Sequence, residues 1–91
     1  MTWEIVVTQS YLKRARRFLR QNPQVKAQYA KVLELLALNP QHPSLRLHRL
    51  KGNLKNLHSV SINMQHRITI ELIIDAHQIT LINIGVYNTV Y

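Results

Sequence analysis

The hydrophobic period changes once along this chain, and the change constrains the fold more than any single motif does. From about Ser10 to Asn39 apolar residues recur at helical spacing. From Leu57 to Gly85 they mostly alternate every second residue, the pattern of strands with one covered face. Before both lies WEIVV (Trp3 to Val7), short and β-branched, which reads as an opening strand. The expected architecture is therefore α+β: strand, helix, helix, then a three-strand meander, with a helical hairpin on one face of a mostly antiparallel sheet. At 91 residues the chain has room for one domain, 1–91.

Local signals set the boundaries. Thr8 or Ser10 serves as N-cap for a helix to Gln21, in which Leu12, Ala15 and Leu19 form the apolar stripe with Tyr11 and Phe18 beside it. Asn22-Pro23 reads as the start of a second helix, with Asn at N-cap and Pro at the first helical position. Val25, Tyr29, Val32, Leu33 and Leu36 mark its apolar face, and Asn39-Pro40 ends it. The segment from Pro40 to Asn56 reads as an irregular loop with a short strand near its end. In the meander, Val60 and Ile62 oppose Ser59 and Ser61, and Ile68, Ile70 and Leu72 oppose Arg67, Thr69 and Glu71. The polar set predicts a partly open, concave sheet face. In the last strand Ile79 and Leu81 fall on one face and Ile82 and Ile84 on the other, which predicts a central strand covered twice.

Charge separates the two halves further. Twelve Lys and Arg face four Asp and Glu, a formal net charge of +8. Eleven of these cations lie between Lys13 and Lys55, where Glu34 is the one acid. The first helix carries Lys13, Arg16, Arg17 and Arg20 with no acid to relieve their repulsion, either as a binding surface or as a solvated face. Such a chain suits a polyanion or an acidic protein partner. With no cysteine there is neither a disulfide framework nor a Cys-ligated metal. No apolar run is long enough to cross a membrane, and the first ten residues lack the form of a signal peptide, so a cytoplasmic location is expected. No Gly-rich phosphate loop, Ser/His/Asp signature or HExxH occurs, and the five histidines lack metal-ligand spacing, so no metal and no cofactor is expected.

Three stretches in order carry a resemblance. They are HPSLRLHRLKG (His42 to Gly52), the strand LHSVSIN leading to Arg67, and the terminal NIGVYNTVY. Together they resemble the RelE/ParE toxin superfamily, in particular its RelE/YafQ-like, plasmid-stabilisation branch. The resemblance implies a microbial-RNase-like fold and a toxin of a type II toxin–antitoxin system. It further implies a ribosome-dependent mRNA endoribonuclease (mRNA interferase) acting by metal-independent 2′-OH attack. The implied partners are an acidic cognate antitoxin, the ribosome and mRNA, with no membrane. ParE-like relatives share the fold but inhibit DNA gyrase and cleave no RNA. A gyrase inhibitor, or a catalytically weakened homologue that mainly binds its antitoxin, is the alternative.

RNA cleavage of this kind needs a base for the 2′-OH proton, an acid for the leaving oxygen and cations on the phosphate. By the resemblance, Arg67 takes the position of the phosphate-contacting arginine; otherwise it pairs with Glu71 along the strand. His48, with His42, sits in the motif loop as a proton donor or as a brace for the loop. His66, next to Arg67 in sequence, is an acid/base candidate. Arg46, Arg49, Lys51 and Lys55 form the basic loop expected to bind RNA phosphate, and His58 stands where the group usually has an aromatic. At Tyr87 the branch usually has a histidine, a departure that weakens the case for full activity because a phenol ionises near pH ~10 and is the poorer base at neutral pH. Tyr91 matches the closing tyrosine and stacks on a base, acts as acid or packs as a tail. Lys13, Arg16, Arg17 and Arg20 would dock the ribosome or the antitoxin.

Overall fold

The computed structural model describes residues 2–50 and 57–86. In chain order it forms β1 (Glu4–Val7), α1 (Gln9–Gln21), α2 (Lys26–Leu38), β2 (His48–Arg49), β3 (Leu57–Ser61), β4 (His66–Ile73) and β5 (Gln78–Val86). Single 3-10 turns at Pro23–Val25 and Pro43–Leu45 lead into α2 and β2. The five strands make one sheet in the order β1-β5-β4-β3-β2. Only β1 and β5 run parallel; the remaining pairs are antiparallel. Among the described residues no helix is long and apolar enough to cross a membrane.

Thr8 caps α1 by accepting from the Tyr11 N–H at 3.0 Å. The buried stripe of α1 is Tyr11, Ala15 and Phe18, an i, i+4, i+7 set; Leu12 and Leu19 are half-buried. The stripe is therefore turned from the one expected, because the two aromatic side chains offer more area to bury than the leucines beside them. Asn22 also departs from expectation. Its side chain makes no cap for α2; its Nδ2 donates to the Phe18 carbonyl at 2.9 Å and closes the end of α1. A 3-10 turn then intervenes before α2, whose start has no side-chain cap.

The core lies between the helices and one sheet face. Tyr11 and Phe18 of α1 and Val32 and Leu36 of α2 meet Val60, Ile68, Ile70, Ile79, Leu81 and Ile84. Each such aliphatic side chain contributes about 1.5–3 kcal/mol by leaving water. The Tyr11 and Tyr29 hydroxyls, 2.7 Å apart, tie the two helices together. Burial pushes both phenols above the ordinary tyrosine value.

Two features of the sheet correct the expected pattern. β5 lies between β1 and β4, but its double apolar pattern comes from a register shift rather than from cover on both faces. Thr69 pairs with Asn83 and Ile70 with Leu81, so Ile82 is an extra residue and the inward set runs Ile79, Leu81, Ile84. The second is β2, a two-residue strand at His48–Arg49 inside the Pro40–Asn56 segment, where a short strand is expected nearer the end; it adds a fifth, edge strand.

Candidate functional site

Alternation along the strands sorts the candidate residues onto two faces. Directly paired residues share a face, so His48, Ser59, Thr69 and Asn83 form one cross-strand row. The adjacent row is Ser61, Arg67 and Gly85. This face points away from the helices. The other face carries His66, Ile68 and Ile70 from the same strand β4, with Arg49 and His58 in one row towards the β2 edge.

On the Arg67 face, the Arg67 Nη1 donates to Ser59 Oγ at 3.5 Å. His48, exposed on β2, stands directly opposite Ser59, so Arg67 and His48 both adjoin that serine. The expectation of a partly open floor needs correction. Ser59 is 0%, Thr69 4% and Ser61 8% exposed; only Arg67 and Glu71 are half-buried. Short hydroxyl side chains at interior positions of the sheet lie beneath longer neighbours such as Arg67. Ser61 Oγ donates to the Asn63 carbonyl at 2.8 Å. The result is a floor of small polar groups with a guanidinium across it, a suitable seat for one phosphate.

His66 lies on the opposite face from Arg67, although the two are adjacent in sequence. It is buried against the edge of Phe18, with ring centroids 4.9 Å apart. Asn63 Oδ1 accepts from the Gln65 and His66 N–H groups at 2.9 and 2.8 Å and lies 3.2 Å from His66 Nδ1. His58 likewise stands on the helix-side face, half-buried and beside exposed Arg49. Period-two alternation thus parts His66, His58 and Arg49 from Arg67 and brings only His48 to it.

The remaining candidates fall elsewhere. Arg46 is exposed, with a left-handed backbone (φ 51°, ψ 51°) where the 3-10 turn closes, a conformation costing about 1–2 kcal/mol for a non-glycine residue. His42 Nδ1 accepts from the Ser44 N–H at 3.2 Å and lies 2.8 Å from Ser44 Oγ, so this histidine braces the turn before β2. His77 is half-buried and stacks on Trp3 at 4.0 Å. Lys51, Lys55, Tyr87 and Tyr91 lie outside the described residues. Among the described residues no cluster of three or more His, Cys, Asp or Glu is placed to hold a metal ion.

The cations of α1 are all exposed and spread across its outer face. Lys13, Arg14 and Arg17 line one shallow depression with Gln9 and Ser10. Arg16 and Arg20 line another with Lys26 and Pro23. Arg14, which was not among the expected docking residues, also reaches the sheet, where its Nη1 donates to the Ile82 carbonyl at 3.3 Å. No sequence signal pointed to that contact, because it depends on the bulge in β5.

No protein-family model matches the sequence, and no curated protein matches it significantly. Solved structures do match. The E. coli DinJ-YafQ toxin-antitoxin complex aligns with a TM-score of 0.80 at 13% identity, over 100% of this chain and 99% of that chain. A metal-bound toxin from Helicobacter pylori aligns with a TM-score of 0.79 at 19% identity, over 98% and 99%. The YoeB-YefM complex from Staphylococcus aureus aligns with a TM-score of 0.72 at 17% identity, over 93% and 97%. The chain therefore has the α+β fold of the RelE/YafQ-like toxins, along essentially its whole length.

Proposed function

We propose that this chain is the toxin of a type II toxin–antitoxin system and that it acts as a ribosome-dependent mRNA endoribonuclease. The observation that carries the reading is the placement of Arg67 and His48 on either side of Ser59, on the sheet face away from the helices, in a toxin fold. Arg67 offers a planar fork to the scissile phosphate and stabilises its growing charge. His48, in the adjacent row on the same face, is a proton-transfer group suited to protonating the leaving 5′-oxygen. The 2′-OH loses its proton to a base, its oxygen attacks phosphorus, and the bond to the 5′-oxygen breaks. Tyr87 and Tyr91 remain candidates for the second proton-transfer role and for stacking a base. The exposed cations Lys13, Arg16, Arg17 and Arg20 supply a docking surface for ribosomal RNA or for an acidic antitoxin. Arg46, Arg49, Lys51 and Lys55 remain candidates for further phosphate contacts, each of which would steepen the salt dependence of binding.

Expression in a bacterial host with primer extension on translated mRNA tests the reading. The expected result is growth arrest with codon-linked cuts that disappear in Arg67→Ala and weaken in His48→Ala. Intact mRNA together with blocked DNA supercoiling would replace it by a gyrase-directed toxin. Growth arrest that persists in a folded Arg67→Ala protein would remove the mechanism.

A further inference from the structure

On the helix side of the sheet, α1 and the ends of β4 and β5 enclose a second concavity of about 350 Å³. Arg14, Arg17, His66, Asn22 and Gly85 line it together with the Phe18 ring, and no acidic residue does. His66 forms its buried floor at 6% exposure. Its tautomer follows from Asn63. The Oδ1 of Asn63 already accepts two backbone N–H groups, so it meets the imidazole as an acceptor and Nδ1 carries the hydrogen. Among the described residues no buried side-chain nitrogen or oxygen lacks a partner. Nε2, the other ring nitrogen, is therefore the polar atom His66 turns to the cavity.

One of the arginines is anchored to the sheet. Arg14 spends one of its five N–H donors on the Ile82 carbonyl at the β5 bulge, which keeps the rest of its fork at the cavity mouth. Arg17 follows it on α1 and lines the same space. One opposing influence is the carboxyl end of α1, whose unpaired carbonyls repel anions. Here the Phe18 carbonyl accepts from both the Asn22 backbone N–H and Asn22 Nδ2, each at 2.9 Å, which blunts that influence. Two guanidinium forks around one small cavity favour a compact, multiply charged oxyanion, and His66 joins them as an imidazolium, whose Nε2–H donates where the neutral ring would present a lone pair.

We propose that Arg14, Arg17 and His66 form a phosphate-binding subsite on the sheet face opposite Arg67. It takes a tetrahedral phosphate group, either free or from a nucleic-acid backbone. The subsite stands on its own geometry and does not depend on the toxin reading.

Sulfate is the probe, titrated into the whole chain and read by NMR at the His66 ring nitrogens. The expected result is a saturable shift of Nε2 with little movement of His77. Arg14→Gln combined with Arg17→Gln should weaken sulfate binding by about tenfold or more, as loss of charge-assisted hydrogen bonds requires. Both positions are exposed, so the variant tests binding in a folded protein, checked by its melting curve. Arg67→Ala should leave the His66 shift in place, which separates this outcome from failure of the site on the other face. Competition then identifies the source. Displacement by a short single-stranded DNA below the concentration at which inorganic phosphate acts assigns a nucleic-acid backbone. Displacement by inorganic phosphate alone assigns a free phosphate. A shift that never saturates, or that is unchanged in the double variant, overturns the subsite.

Discussion

The sheet face that meets the helices and the face that carries Arg67 are drawn from alternate residues of the same strands, yet they answer to different demands. On β4, Ile68 and Ile70 are 0% exposed among helix side chains, while Arg67 reaches across Ser59 and Thr69 on the other side. The first face is filled with branched aliphatic groups and gains from every methylene buried. The second keeps short hydroxyls at its floor, one of which, Ser59, accepts from the Arg67 guanidinium. Stability and site chemistry are therefore separable one residue apart.

That separation is open to direct test. The largest expected effect is functional: Arg67→Ala should lower cleavage by about 100-fold or more, the scale of losing one positioned charge-stabilising donor. Its stability should fall by only about 1 kcal/mol, the scale of the hydrogen bond lost to Ser59. Primer extension and urea denaturation on the same protein check both halves. Ile70→Ala should do the reverse, costing about 2–5 kcal/mol in urea denaturation because it opens a cavity under the helices. A stability loss for Arg67→Ala equal to that of Ile70→Ala would erase the distinction between the faces.

The hydrogen-bonded tyrosine pair sharpens the helix-side half. Tyr11 holds its proton more tightly in the folded chain than in the unfolded one, since burial raises its pKa. Above the ordinary tyrosine value of 10.0 the unfolded chain releases that proton first, so stability falls as pH rises. The slope approaches about 1.4 kcal/mol per pH unit for one phenol. Tyr11→Phe should flatten denaturation midpoints between pH 10 and 11 relative to the parent. The smallest effect belongs to the polar floor. Ser59→Ala should cost about 1 kcal/mol and reduce, without abolishing, the cleavage that depends on Arg67. Calorimetry and primer extension measure the two.

Much of this was readable in the residues, and the misses have physical causes. Both helices and the three long strands follow from apolar spacing alone. The facing of Arg67 away from Ile68 and Ile70 follows from alternation, and the same rule would have placed His66 on the far side. Adjacency in sequence made it look like a neighbour of the phosphate site. Ile79, Leu81, Ile82 and Ile84 suggested two covered faces, because a bulge and a doubly buried strand leave the same apolar trace in sequence. β2 is two residues long, too short to show a period, so a strand in that segment was legible but its position was not. Asn22-Pro23 carries a helix-start signal, yet the Asn22 side chain bonds the carbonyl four residues before it and closes α1 instead. The Arg14 contact with Ile82 joins residues 68 positions apart, which no local pattern encodes.

The parallel pairing of β1 with β5 has a consequence in time. Glu4 pairs with Gln78, and the Gln78 side chain donates to Glu4 across the same join. During synthesis the first strand to emerge must wait for the last to complete its ladder, while α1 lacks the strand it packs against most extensively. Closure of so long a loop is a late, entropically costly step of folding. A chain stopped before β5 would lack both the cover over Tyr11 and the row that sets Gly85 beside Arg67. Incomplete nascent chains would then carry the α1 cations without the completed sheet on which Arg67 lies.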